Sequence, residues 1–125
     1  MIADHTANPT FIAADLLSQA EHGVDSQVVL LAISLTPEHL ARIEAAIHTQ
    51  ASALPRADIM RQSLGKSLIV KCVDVEQAME FSNEYAPEHL ILHLEKAREW
   101  VGSVINAGSV FVGEWTPERS VFLLC

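Results

Sequence analysis

The stretch Ser26-Gln27-Val28-Val29-Leu30-Leu31-Ala32-Ile33-Ser34 constrains the fold more than any other. It is a nearly unbroken aliphatic and β-branched run of strand length, and a strand with no polar alternation has both faces buried. Such strands belong to parallel sheets covered by helices on either side. Ser67–Val73 reads as a second strand, Leu90–Leu94 is a further apolar run, and Ala107–Gly113 reads as a turn entering a strand. Helical spacing fills the gaps between them. Phe11, Ile12, Leu16 and Leu17 follow Asn8-Pro9, which supplies an N-cap and a proline at the first helical position. Leu40, Ile43, Ala46 and Ile47 follow Thr36-Pro37. Pro55 interrupts that helix and starts a shorter one carrying Ile59, Met60 and Leu64, which stops at Gly65. Val75, Ala78, Met79, Phe81 and Ser82 follow the cap Asp74, and Ala97, Trp100, Val101 and Val104 line a helix over 95–105. Strands alternating with helices predict an α/β fold, an open and mostly parallel sheet with helices on its faces. Ile2-Ala3 reads as the tail of a strand that began earlier. The predicted organisation is one domain over 1–118, followed by the apolar tail 119–125, which belongs to no predicted element.

With 125 residues, half of them hydrophobic, the chain can bury one core. Sixteen acidic residues against eight basic ones leave a net charge of −8 without any basic run, which argues against binding nucleic-acid phosphates or anionic lipid. No apolar run reaches the ~18 residues of a membrane span, and the start lacks the basic and apolar regions of a signal peptide. Cys72 in a predicted strand and Cys125 at the end have neither metal-ligand spacing nor the density of a disulfide scaffold, so a reducing, cytoplasmic setting is expected.

Two polar pairs stand out as chemistry. Gln19 and His22 lie three residues apart at a helix end closed by Gly23, where an amide oxygen and an imidazole nitrogen can converge on a metal. Glu88 and His89 lie side by side just after Pro87, at the entry to an apolar run. Spacing alone marks each pair as ordinary surface polarity more often than as a site. There is no Gly-x-Gly-x-x-Gly after a strand, no Walker-type loop and no Gly-x-Ser-x-Gly elbow. Ser109 reads as structural, Cys72 as a small core side chain, and Glu38, His39 and His93 as bland.

Three segments together resemble the histidinol dehydrogenase family: Ala14–Val28 with its Gln-Ala-Glu-His-Gly core, Tyr85-Ala86-Pro87-Glu88-His89-Leu90, and Asn106–Gly113. The resemblance runs in register from about Ile2 to about Glu118. It implies an incomplete Rossmann-like domain and a zinc-dependent enzyme that oxidises L-histidinol to L-histidine through the aldehyde in two NAD-linked steps. By resemblance Gln19 and His22 are zinc ligands that also lie against the substrate. Glu88 and His89 match the acid/base pair, with His89 as the substrate-contacting alcohol base and Glu88 activating water on the aldehyde. A base working near neutral pH suits an imidazole, and hydration of an aldehyde suits a carboxylate beside water.

The resemblance also implies what this stretch does not carry. After Trp115-Thr116-Pro117-Glu118 the family continues through a Gly-Asp-Tyr turn to an aspartate zinc ligand and a substrate-contacting histidine, whereas here Arg119–Cys125 departs. The family's swapped tail, which gives a partner subunit of the homodimer the last zinc ligand, has no counterpart. Nor does the upstream region with most of the NAD site, so no cofactor-binding residue is assigned. Two zinc ligands fall short of the three or more that catalytic zinc sites use. The expectation is weak metal binding and little turnover by these residues alone. The alternative is a non-catalytic interaction module that keeps the fold; a small zinc hydrolase lacks a third ligand.

Overall fold

The computed structural model describes residues 1–20, 27–55, 58, 62, 65–112 and 121–123. Among them the following elements are traced in chain order: β1 (Ile2–Ala3), α1 (Pro9–Ala20), β2 (Val29–Ile33), α2 (Pro37–Ser52), β3 (Leu68–Cys72), α3 (Val75–Tyr85), β4 (His89–His93), α4 (Ala97–Trp100), a 3-10 turn (Val101–Ser103), β5 (Ser109–Val112) and β6 (Val121–Leu123). They form one sheet of six strands in the order β3-β2-β1-β4-β5-β6. The first five run parallel and β6 runs antiparallel to β5.

This order follows from handedness. Right-handed crossovers stepping outward from β1 to β2 to β3 put α1 and α2 on one face. The chain then returns to the other side of β1 for β4 and β5, which puts α3 and α4 on the opposite face. Two apolar clusters result. On the α1 side Ala3, Val28 and Leu30 pack with Ile12, Leu16, Leu17 and Ile43. On the α3 side Ile2, Val29, Leu31, Leu90, Leu92, Val110 and Val112 pack with Ala78 and Met79. All five residues of β2 are buried, as its unbroken run requires.

The predicted caps are present. Asn8 Oδ1 accepts from Thr10 N at 2.8 Å, Thr36 Oγ1 from His39 N at 3.1 Å, and Asp74 Oδ1 from Gln77 N at 2.8 Å. The structure also departs from the sequence reading. The helix expected over 95–105 is a single turn ending at Trp100 and continuing as 3-10 turn, with Trp100 only partly buried. Gly102 sits in that stretch, and glycine weakens helix. Among the described residues β3 stands at the edge of the sheet, with Leu68 and Ile69 exposed. His39, read as solvated surface, is partly buried, and its Nε2 lies 3.0 Å from Ala7 O, tying α2 to the loop after β1. Val121–Leu123, expected outside any element, pairs with β5. The helix predicted after Pro55 lies mostly outside the described residues. Among those described, no helix is long and apolar enough to cross a membrane.

Candidate active site

Parallel α/β sheets usually bind ligands at the carboxyl ends of their strands, where the order reverses. Here that reversal lies between β1 and β4, and at their carboxyl ends Asp4 occupies the crevice. Its carboxylate accepts from Thr6 N at 2.9 Å, from the Thr6 hydroxyl and from Glu95 N at 2.8 Å. Asp4 is thereby buried and holds the two loops together.

The candidate residues gather at the opposite, amino edge. A cleft of about 790 Å³ opens there between the end of α1, the starts of β1, β2 and β4, and the end of α3. Gln19, Glu88 and His89 all line it. Gln19 comes from the last described turn of α1, whose buried face of Ile12, Leu16 and Ala20 holds the helix on the sheet. His22 lies outside the described residues. Apolar walls come from Leu16, Val29, Leu31, Phe81 and Leu90, and Tyr85 closes one rim by donating its hydroxyl to Gln27 Oε1 at 2.6 Å.

Glu88 and His89 owe their position to the turn before them. α3 ends on Ala86 in the left-handed conformation (φ 54°, ψ 63°), its N–H bonded to Ser82 O at 2.9 Å. Such a conformation is costly for a residue with a Cβ. Pro87 cannot continue the helix, so the chain turns at once into β4. Rather than sitting wholly in a connection, His89 is the first residue of β4, in register with Ser109 of β5. Its side chain is 37% exposed against 89% for Glu88, and Nε2 stands 3.9 Å from Glu88 Oε1. That separation is an electrostatic contact and not a hydrogen bond. The other ring nitrogen, Nδ1, is 2.7 Å from Ser109 Oγ, and the Phe111 ring lies 6.0 Å away at a 55° tilt.

The two strands meet at a glycine. Gly108 N donates to Pro87 O at 3.1 Å, and Ser109 N donates to Glu88 O at 2.9 Å. A Cβ on Gly108 would stand 2.6 Å from Glu88 O, a backbone atom with no freedom to swing away. Gly108→Ala is therefore expected to cost about 1–3 kcal/mol through overpacking, measured by urea unfolding, and to displace Glu88 and His89. Unchanged stability would mean that β4 and β5 tolerate a wider spacing here.

The zinc ligands expected from the resemblance are only partly described. Among the described residues no three His, Cys, Asp or Glu side chains converge, and Gln19 is the one described donor of the expected pair. These residues do not complete a zinc site, which needs at least three protein ligands. Cys72 takes no part: it is a free, buried thiol, its pKa raised by burial and by the nearby Asp74 charge.

Two contacts beside the cleft, made by Ser109 and His93, carry no signal in the sequence. Ser109 gave only a glycine before a strand. His93 is wholly buried, with Nε2 2.8 Å from Asp15 Oδ2, and nothing local in the sequence signals that contact.

Comparison with known proteins supplies the remaining context. A model of the histidinol dehydrogenase family matches residues 1–121. The Neurospora crassa histidine biosynthesis trifunctional protein is 60% identical over 118 residues, 94% of this chain and 14% of that protein. The Schizosaccharomyces pombe histidinol dehydrogenase is 53% identical over 117 residues, 94% of this chain and 27% of that enzyme. The crystal structure of histidinol dehydrogenase from Elizabethkingia anophelis superposes with a TM-score of 0.88 at 46% identity, covering 94% of this chain and 27% of that one. The chain thus spans between a seventh and about a quarter of the length of these relatives. The family model spans residues 1–121, nearly the whole chain, and the fold agrees with that of a solved family member, so the chain belongs to the histidinol dehydrogenase family.

Proposed function

We propose that this chain carries the acid/base half of an active site that oxidises L-histidinol to L-histidine through the aldehyde, with NAD as hydride acceptor. The observation that carries the reading is that Gln19, near the start of the chain, and Glu88-His89, near its end, line one cleft. His89 takes the alcohol proton at Nε2 while hydride departs, because an imidazole is the side chain suited to that transfer near neutral pH. Glu88, largely exposed to water, activates a water molecule for attack on the aldehyde.

Gln19 and His22 would be two of the ligands of a zinc ion whose other ligands lie outside this chain. Bound there, zinc would supply a point of attachment for the substrate's nitrogen groups. NAD would be held by residues beyond this stretch, and the assembly would be a homodimer. Residues 1–118 would be the family part of the chain and 119–125 a tail outside it. A reducing cytoplasm fits the free thiol of Cys72.

The reading is tested by exchange. The matching 117-residue segment of the Schizosaccharomyces pombe enzyme is replaced by this chain's residues. The chimera is expected to reduce NAD with L-histidinol, and His89→Asn in it to lower kcat by about 10²–10⁴-fold. A folded chimera in which His89→Asn keeps full kcat would overturn the assignment. The 125-residue chain alone is expected to give little or no turnover.

A further inference from the structure

We propose that Ser109 is a positioning residue for His89, its hydroxyl accepting the Nδ1 proton so that the Nε2 lone pair faces the cleft. The inference rests on the reading of His89 as the alcohol base.

The geometry is built into the sheet and does not depend on loop conformation. In a parallel pair, residues in register project to the same face, and so do residues two apart on one strand. His89 is in register with Ser109, so both side chains project to the α1 face, and Phe111 projects there too. The ring is therefore held at two points, by the hydroxyl 2.7 Å from Nδ1 and by the Phe111 ring 6.0 Å away. Ser109 is only 7% exposed, so water does not readily replace it. The close strand approach at Gly108 sets the spacing that brings Oγ to Nδ1.

A hydroxyl can donate to an imidazole nitrogen or accept from it. The role of His89 chooses between these. A base that takes a proton at Nε2 must carry its own proton at Nδ1, both as neutral imidazole and as the imidazolium that follows, and in both forms Nδ1–H donates to Ser109 Oγ. The bond thus persists through proton uptake, and the ring need not turn. Glu88 Oε1 sits 3.9 Å from Nε2 on an exposed side chain, too far to hold Nε2–H by a hydrogen bond. Orientation of a histidine through its second nitrogen is a general device for fixing tautomer.

The test reads the tautomer directly and then the rate. In the 125-residue chain labelled with 15N-histidine, long-range 1H–15N coupling patterns in alkaline buffer are expected to show His89 mainly as the Nδ1–H form. Ser109→Ala should lower the ratio of Nδ1–H to Nε2–H by about five- to tenfold, the worth of one net hydrogen bond, and Ser109→Thr should restore it. In the chimera, Ser109→Ala should reduce kcat by about tenfold with KM little changed, and threonine should recover it. A wild-type ring found as Nε2–H, or a ratio that ignores Ser109→Ala, overturns the proposal. If the tautomer moves as expected while kcat ignores His89→Asn, the base reading fails and the positioning of the ring stands.

Discussion

A His93→Ala chain is expected to lose about 3–5 kcal/mol of folding stability, read as a lowered urea midpoint at unchanged m-value. His93 is completely buried under α1, and its Nε2 lies 2.8 Å from Asp15 Oδ2 while its Nδ1 has no partner. Truncation does two things at once. It opens a cavity in a close-packed layer, and it strips Asp15 of a buried donor, which is what makes breaking such a pair dearer than never having it. Small domains hold about 5–15 kcal/mol in total, so this one contact is a large share. Replacing both partners by leucine should recover part of the loss, because the carboxylate is then no longer left without its imidazole and the cavity is filled. A single-variant loss below about 1 kcal/mol would show that the pair does not hold the helix down. The contact also bears on the site. Asp15 and Gln19 are one helical turn apart on α1 and both line the cleft, so the bond to His93 fixes the rotation at which α1 presents Gln19.

His93 shows where sequence reading stops. It ends an apolar strand and looks like any histidine near a strand end, because its partner comes from the other end of the chain. Only the return of the chain to the far side of β1, which sets β4 under α1, makes the contact. Ser109 is the same case, since its meaning lies in the register of β4 with β5 and not in its neighbours. By contrast, β2 was legible because burial on both faces leaves its mark on consecutive residues, and the caps Thr36 and Asp74 were legible because capping is local. Gln19, Glu88 and His89 were picked out by motif alone; nothing in the spacing said that the cleft lies at the amino edge, opposite to where α/β sheets usually work. β3 was legible as a strand but not in its place: Leu68 and Ile69 are as apolar as a central strand's residues, yet among the described residues the strand stands at the end of the sheet order. Hydrophobicity reports that a surface prefers cover, and topology decides whether these described residues supply it.

In the 125-residue polypeptide prepared with a free Met1 amine, stability is expected to rise as pH goes from 5 to 8 through the titration of that amine. Its nitrogen donates to Val29 O at 2.9 Å, and Met1 O accepts from Leu31 N at 2.8 Å, so the residue continues the β1 ladder. The ladder offers one acceptor, which suits a peptide N–H but leaves an ammonium with further protons to satisfy. Although the side chain is partly exposed, the amine itself is enclosed, and burial lowers its pKa from 8.0 to about 5. Between those values the unfolded chain binds a proton that the folded chain does not, so the free energy of unfolding increases with pH. A displacement of about three units at 1.36 kcal/mol per unit makes the full penalty about 4 kcal/mol. It is fully present below about pH 5, about 1 kcal/mol at pH 7, and absent above the unfolded value of 8.0. Acetylating the amine removes the titration and keeps the N–H. The decisive measurement is the difference between acetylated and unmodified chains in urea unfolding across pH. That difference should be largest at pH 5 and vanish by pH 9. A gap that stays constant with pH would show that the amine finds water or a second acceptor in the folded chain, and that its charge costs nothing there.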